Sequence, residues 1–197
     1  MIGIRAAVGE EAARASLEKQ KLGGLQVLFR QSVSTALALF QHARGRHPCG
    51  RQQVRHLELL WLPYYLVTWH VAWQKRSKKI PTLVGGHERN FSLSDPQASF
   101  ETLEKGEFFE AAITKEDALD TSRSGLWRAA LNDRQRRRLQ VGEHPEIQVV
   151  QYPFWAYYFR RPGGKLDVKL LDAATGSMAG PKDKVALLRA LAQQEQP

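Results

Sequence analysis

Residues 57–73 read "LELLWLPYYLVTWHVAW", and how this stretch is read decides the fold. It holds too many aromatic and β-branched residues for a surface helix, so it reads as a strand. Alternation sets Leu57, Leu59, Trp61, Tyr65, Val67 and Trp69 on one face and Leu60, Leu62, Tyr64 and Leu66 on the other. Both faces are apolar, which predicts cover on both sides of the strand. Further along, residues 151–161 read "QYPFWAYYFRR", close kin to "WLPYYLVTWHV" at 61–71.

Matching Pro63 to Pro153 sets Leu57 against Ile147 and Trp69 against Phe159. After the first strand, "QKRSKK" reads as a turn and "IPTLVGG" as a returning strand. After the second, "PGG" turns and "KLDVKLLDAATGSMAG" returns. Ile80 to Val84 then align with Leu166 to Leu170, and Asn90 with Gly176, two residue types that tolerate a left-handed turn. Asp95-Pro96 and Gly180-Pro181 both read as helix starts, one for a short helix to about Lys105, the other for "PKDKVALLRALAQ". Helical stretches precede each hairpin, at 10–44 and at 115–139. In the first, Leu22, Leu25, Phe29, Val33, Leu37 and Phe40 form a stripe that Gly23 and Gly24 interrupt. The expected fold is α+β, with two pseudo-repeated helix–β-hairpin–helix units at 1–110 and 111–197 in one compact domain. A lone hairpin is marginal in water, so the two would share a mostly antiparallel sheet packed by helices. Proline cannot donate to a ladder, so each aromatic strand is expected at an edge or bulge. Trp61, Tyr65, Trp155 and Tyr157 would then offer an edge to a partner strand, a second copy included.

The C-terminal hairpin ends in "LLDAATGSM", where Leu171, Asp172, Ala173, Thr175 and Gly176 carry a strand-ending pattern. In this the segment resembles the PepSY-like family, whose small units pack a helix on a hairpin. The first hairpin departs from that pattern, with "GGHERNF" at the corresponding place. The resemblance implies a binding module without enzymatic activity.

The charge is positive, +9 over 197 residues, and it is grouped. Arg44, Arg46, Arg51 and Arg55 precede the first hairpin; Arg134, Arg136, Arg137 and Arg138 precede the second. Lys75, Arg76, Lys78 and Lys79 mark one hairpin tip, with Arg160, Arg161 and Lys165 at the other. Such clusters attract phosphate backbones. Residues 101–120 are acidic by contrast.

Chemistry is harder to find. His42, His47, Cys49 and His56 are zinc-ligand types, yet their spacing fits no zinc signature and Cys49 is the sole cysteine. No metal or cofactor is expected. Cys49 has no recognisable orienting residue or oxyanion site, and neither "GGHERN" nor "RPGGK" completes a phosphate loop. Glu10 and Glu11 fall where an export signal needs apolar residues, and the longest apolar stretch is broken by Arg30 and Gln31. The expectation is a cytoplasmic, non-enzymatic protein-interaction or assembly module without a membrane partner. Nucleic acid or another polyanion is the alternative ligand.

Overall fold

The computed structural model describes residues 1–19, 56–73, 76–94, 98–103, 108–130, 139–160 and 166–194. Its elements run β1 (Ile2–Ile4), α1 (Glu10–Lys19), β2 (His56–Trp73), β3 (Arg76–Gly85), β4 (Phe91–Leu93) and β5 (Phe100–Thr102). Then come α2 (Lys115–Ala130), β6 (Leu139–Val141), β7 (Glu146–Arg160), β8 (Leu166–Asp172) and α3 (Pro181–Gln194). The eight strands form one sheet in the order β4-β3-β2-β7-β1-β5, with β6 also against β2 and β8 against β7. Every pairing is antiparallel except that of β1 with β7, so the sheet is mixed.

β2 and β7 form the centre, paired from His56–Tyr158 to Thr68–Glu146. The two prolines fit there because of the side they face. Pro63 accepts a hydrogen bond from Gly86 N (2.8 Å) and Pro153 from Ala173 N (3.1 Å), each donor following the end of the hairpin strand. A residue's N and C=O point to the same side of a strand. The missing N–H therefore falls where the hairpin ladder has already stopped, and the β2–β7 ladder loses nothing.

Both faces of this pair are buried, as their apolar composition requires. On one face, Leu60, Leu62, Tyr64, Phe154 and Tyr158 pack with Leu187, Leu188 and Leu191 of α3. The other face is shared by two helices. Ala13 and Leu17 of α1 cover Leu57, Trp155 and Tyr157, while Ala118 and Leu126 of α2 cover Tyr65, Val67 and Trp69. Glu10 and Glu11 in the first turn of α1 and Lys19 in its last suit the helix dipole. Thr114 Oγ1 accepts the Asp117 N–H (3.2 Å), capping α2. A buried network fixes α2 in place. Trp69 Nε1 donates to Ser122 Oγ (2.7 Å), which shares a hydrogen with Thr82 Oγ1 (2.6 Å). None of the helices among the described residues is long and apolar enough to cross a membrane.

Two expectations are overturned here. The first is the pair of helix–hairpin–helix units. After β3 the chain adds β4 and β5, and Phe100–Thr102 is strand where a helix to Lys105 was expected, because it pairs with β1. Strands dominate, and segments 1–110 and 111–197 share one sheet. The hairpins also match one residue away from the expected alignment. Trp69 faces Ile80, whereas Phe159 faces Asp167 and not Leu166. The second correction concerns the edge. Trp61, Tyr65, Trp155 and Tyr157 lie in interior strands and are buried, so they present no surface to a partner. β4 and β5 end the main strand order, and β6 and β8, each paired on one side only, are edge strands as well. Most of the 10–44 helical stretch, residues 131–138, Asp95 and Pro96 lie outside the described residues.

Gly125 of α2 rests against the Phe91 ring, where an added methyl group would overlap the ring carbons. In an open helix Gly→Ala stabilises by about 1 kcal/mol, but overpacking costs about 1–3 kcal/mol. Gly125→Ala is therefore expected to lower the urea midpoint. In a Phe91→Ala background the same substitution should raise it. Chemical denaturation of the four variants of this cycle checks both signs.

Candidate functional site

The turn after β3 gathers the least satisfied buried polar atoms of the described chain. Gly85 and Gly86 begin it because side chains do not fit: a Cβ on Gly86 would lie 2.7 Å from the Pro63 carbonyl and 3.0 Å from Ala111 Cβ. Gly86 O in turn accepts the N–H groups of Ala112 (2.8 Å) and Ile113 (3.0 Å). The turn closes as Gly85 N donates to Asn90 O (3.0 Å).

His87 sits at its apex, 3% exposed, and neither ring nitrogen has a hydrogen-bond partner among the described residues. Arg189 of α3 reaches the same turn. Its Nη1 donates to His87 O (3.3 Å) and lies 2.7 Å from Glu88 Oε1. Burial, and secondarily the Arg189 charge, lower the His87 pKa to about 4. The imidazole is therefore neutral at physiological pH.

A chain of polar contacts extends from this turn across the α3 face. Asp183 Oδ1 accepts from Asn90 Nδ2 and from Tyr64 OH, both at 3.2 Å, and Oδ2 accepts the Gly180 N–H (2.9 Å). The last contact reaches back to the residue before the helix, as in a capping box. The Tyr64 and Tyr152 rings lie 5.1 Å apart, and Tyr152 OH donates to Asp172 Oδ2 (2.8 Å). Asp172 Oδ1 accepts the N–H groups of Ala174 (2.9 Å) and Thr175 (3.0 Å), and Gly176 follows with φ +75°. Burial first, then nearby Asp183 and Asp172, hold both phenols above the ordinary tyrosine range. They stay protonated and act as donors, not as bases. The cluster anchors α3 and ends the second hairpin.

Among the described residues no group of three or more His, Cys, Asp or Glu side chains is arranged to hold an ion. His56 lies 3.3 Å from Glu58 and stacks on Tyr158. His42, His47 and Cys49 lie outside the described residues.

Among the described residues, the basic side chains of the two hairpin tips lie far apart. Lys78 and Lys79 lie on β3 opposite Val71 and His70, near the Trp73–Arg76 tip. Arg160 pairs with Leu166 at the other hairpin's tip. Because β2 and β7 are antiparallel, these tips stand at opposite ends, separated by roughly 50 Å of strand at 3.3 Å per residue. Lys79 is engaged by Glu146 (2.8 Å), whose pKa it lowers. Arg44, Arg46, Arg51, Arg55, Lys75, Arg134, Arg136, Arg137, Arg138, Arg161 and Lys165 lie outside the described residues, as does the Arg76 side chain.

Sequence reasoning reached "GGHERN" as a glycine-bearing turn but not the burial of His87 or its tie to Asp183 and Arg189. The paired glycines were the available signal. The free edges went unread. On β4 Leu93 is 56% exposed; beside β5, Phe100 is 45% and Ile2 47% exposed. No protein-family model matches the chain, and neither a curated protein nor a solved structure matches it.

His87 gives a signed pH dependence. Its pKa is lower in the folded state than its ordinary 6.5, so below that value the unfolded chain takes up the proton first. Its contribution is full above pH 6.5 and is lost as pH falls toward about 4. At 1.36 kcal/mol per unit, the loss is about 3 kcal/mol. Urea titrations at pH 7, 5.5 and 4 should show this slope in the native protein. They should show it diminished by that amount in His87→Leu.

Proposed function

We propose that this protein is a cytoplasmic, non-enzymatic protein-interaction module that engages its partner at the free edges of the sheet. The observation that carries the reading is the coincidence of open strand edges with exposed apolar side chains, Leu93 on β4 and Phe100 on β5. An unpaired edge is a template for a partner's strand. The aromatic wealth of β2 and β7 goes into the core, so it does not compete as a docking surface. The PepSY-like resemblance of Leu171–Gly176 favours the same class of function. The single cysteine favours a reducing compartment such as the cytoplasm.

Photo-reactive residues placed singly at Leu93, Phe100 and exposed Arg123 on α2 test this in native extract. One defined protein adduct at an edge position and none at Arg123 is the expected result. Equal labelling at all three, or none, would overturn the reading.

A polyanion ligand is the second reading, favoured by one connection. The chain enters β6 from Arg138, and β6 pairs with β2 at Val71–Trp73, the end that carries Lys78 and Lys79. In the sequence the 134–138 cluster adjoins β6, and that adjacency to the end carrying Lys78 and Lys79 supports the reading. If four or five phosphates are neutralised there, the log–log salt slope for duplex DNA is about −4. Lys78→Ala should reduce that slope by about one. Glu146→Ala should strengthen binding by releasing Lys79. Fluorescence anisotropy at two salt concentrations reads all three, and no binding at low salt eliminates this reading.

A further inference from the structure

The β5 edge has a chemistry that selects its occupant. Ser99 O accepts from Arg5 N (3.0 Å) and Leu103 N donates to Met1 O (2.9 Å). Gly3 and Glu101 are thus the hydrogen-bonded pair between β1 and β5. It follows that the N–H and C=O groups of Phe100 and Thr102 point away from β1, toward the open side. Among the described residues nothing pairs with these four groups.

The side chains divide by face. Phe100 stands on the same face as Ile2, and both are nearly half exposed. Glu101 projects to the opposite face, where it is half-buried and has no cation partner among the described residues. An unpaired carboxylate at an edge does two things. It repels a like charge placed directly across the strand gap, and it rewards an opposite one.

That property argues against a second copy as the occupant. Antiparallel pairing of two β5 strands that uses both Phe100 and Thr102 sets Glu101 directly opposite Glu101 of the other copy. The glutamates then form a non-hydrogen-bonded pair, the closer of the two pair types. Shifting the register by a pair of residues relieves the repulsion but leaves one outward residue of β5 without a β5 partner.

We infer that the β5 edge binds an extended peptide carrying a basic residue between two apolar ones, added as a further antiparallel strand. This rests on the reading of the protein as an interaction module. Apolar residues of the peptide would lie beside Phe100 and Thr102, and the basic residue opposite Glu101. The overall charge makes the inference demanding. A chain of net charge +9 repels a basic peptide at long range, so a preference for one has to come from local contacts.

Two short fluorescent peptides, one alternating valine with lysine and one alternating valine with glutamate, are titrated with the full-length protein at physiological salt. The lysine peptide should bind about tenfold tighter than the glutamate peptide, and Glu101→Lys should reverse the order. Glu101→Gln should bring the two together, with circular dichroism confirming that each variant keeps its fold. Equal binding, tighter binding of the glutamate peptide, or an order unchanged in Glu101→Lys overturns the inference. So does a concentration-dependent dimer in sedimentation that Phe100→Glu abolishes, because the edge would then belong to a second copy. If the lysine peptide fails while photo-adducts still form at Phe100, the interaction-module reading stands and this occupant alone is wrong.

Discussion

The antiparallel pairing of β2 with β7, buried on both faces, is the constraint to which the rest of the structure answers. A central strand must place every backbone N–H, and each of these strands contains a proline that has none. The conflict is resolved by orientation. Pro63 and Pro153 face their hairpin partners where those partners end, so the central ladder runs from His56 to Thr68 uninterrupted. Each hairpin strand therefore stops short, and other segments occupy the space beyond. β1 lies beside Gln151, and Phe108 bridges to Trp61. The mixed character of the sheet comes from β1, which runs parallel to β7 at Gly3–Gln151.

Burial on both faces then dictates where helices go. The face under α3 is one continuous apolar layer, whereas the opposite face is divided between α1 and α2. α3 is also held by polar contacts at its N-terminal end, through Asp183, and further along through Arg189. The turn that carries His87 and Asn90 receives both ties, which joins the first hairpin to the last helix. Burying a histidine there without partners costs stability.

Much of the backbone was legible because long elements repeat their own signal. β2, β7 and the helices at 115–130 and 181–194 each carry enough residues for period or capping chemistry to be read. The three-residue strands β1, β4, β5 and β6 do not; "IGI" or "FET" alone carries no usable period. At residues 95–105 the Asp95-Pro96 signal was read as a helix start, yet Phe100–Thr102 obeys β1, which lies nearly one hundred positions earlier in the chain. The aromatic edge failed for a different reason. Proline in a strand does argue for an interrupted ladder, but a strand has two sides, and sequence does not say which one is interrupted.

What the sequence determined by itself was composition of faces and chemistry of turns. β2 had to be covered on both sides, and an aspartate-led turn had to end the second hairpin at Asp172. Those properties are local, set by side chains a few residues apart. Tertiary structure alone decided which strands became neighbours, and with that everything at the surface. Pairing β2 with β7 sent the aromatics inward, set the basic tips at opposite ends, and left β4 and β5 at the two ends of the main strand order. Glu101 acquires its meaning only there, because a carboxylate at a free edge and one beside a lysine are the same letter in the sequence. Pairing between distant segments is a choice among competing partners, made by the free energy of the whole sheet rather than by any one stretch of chain.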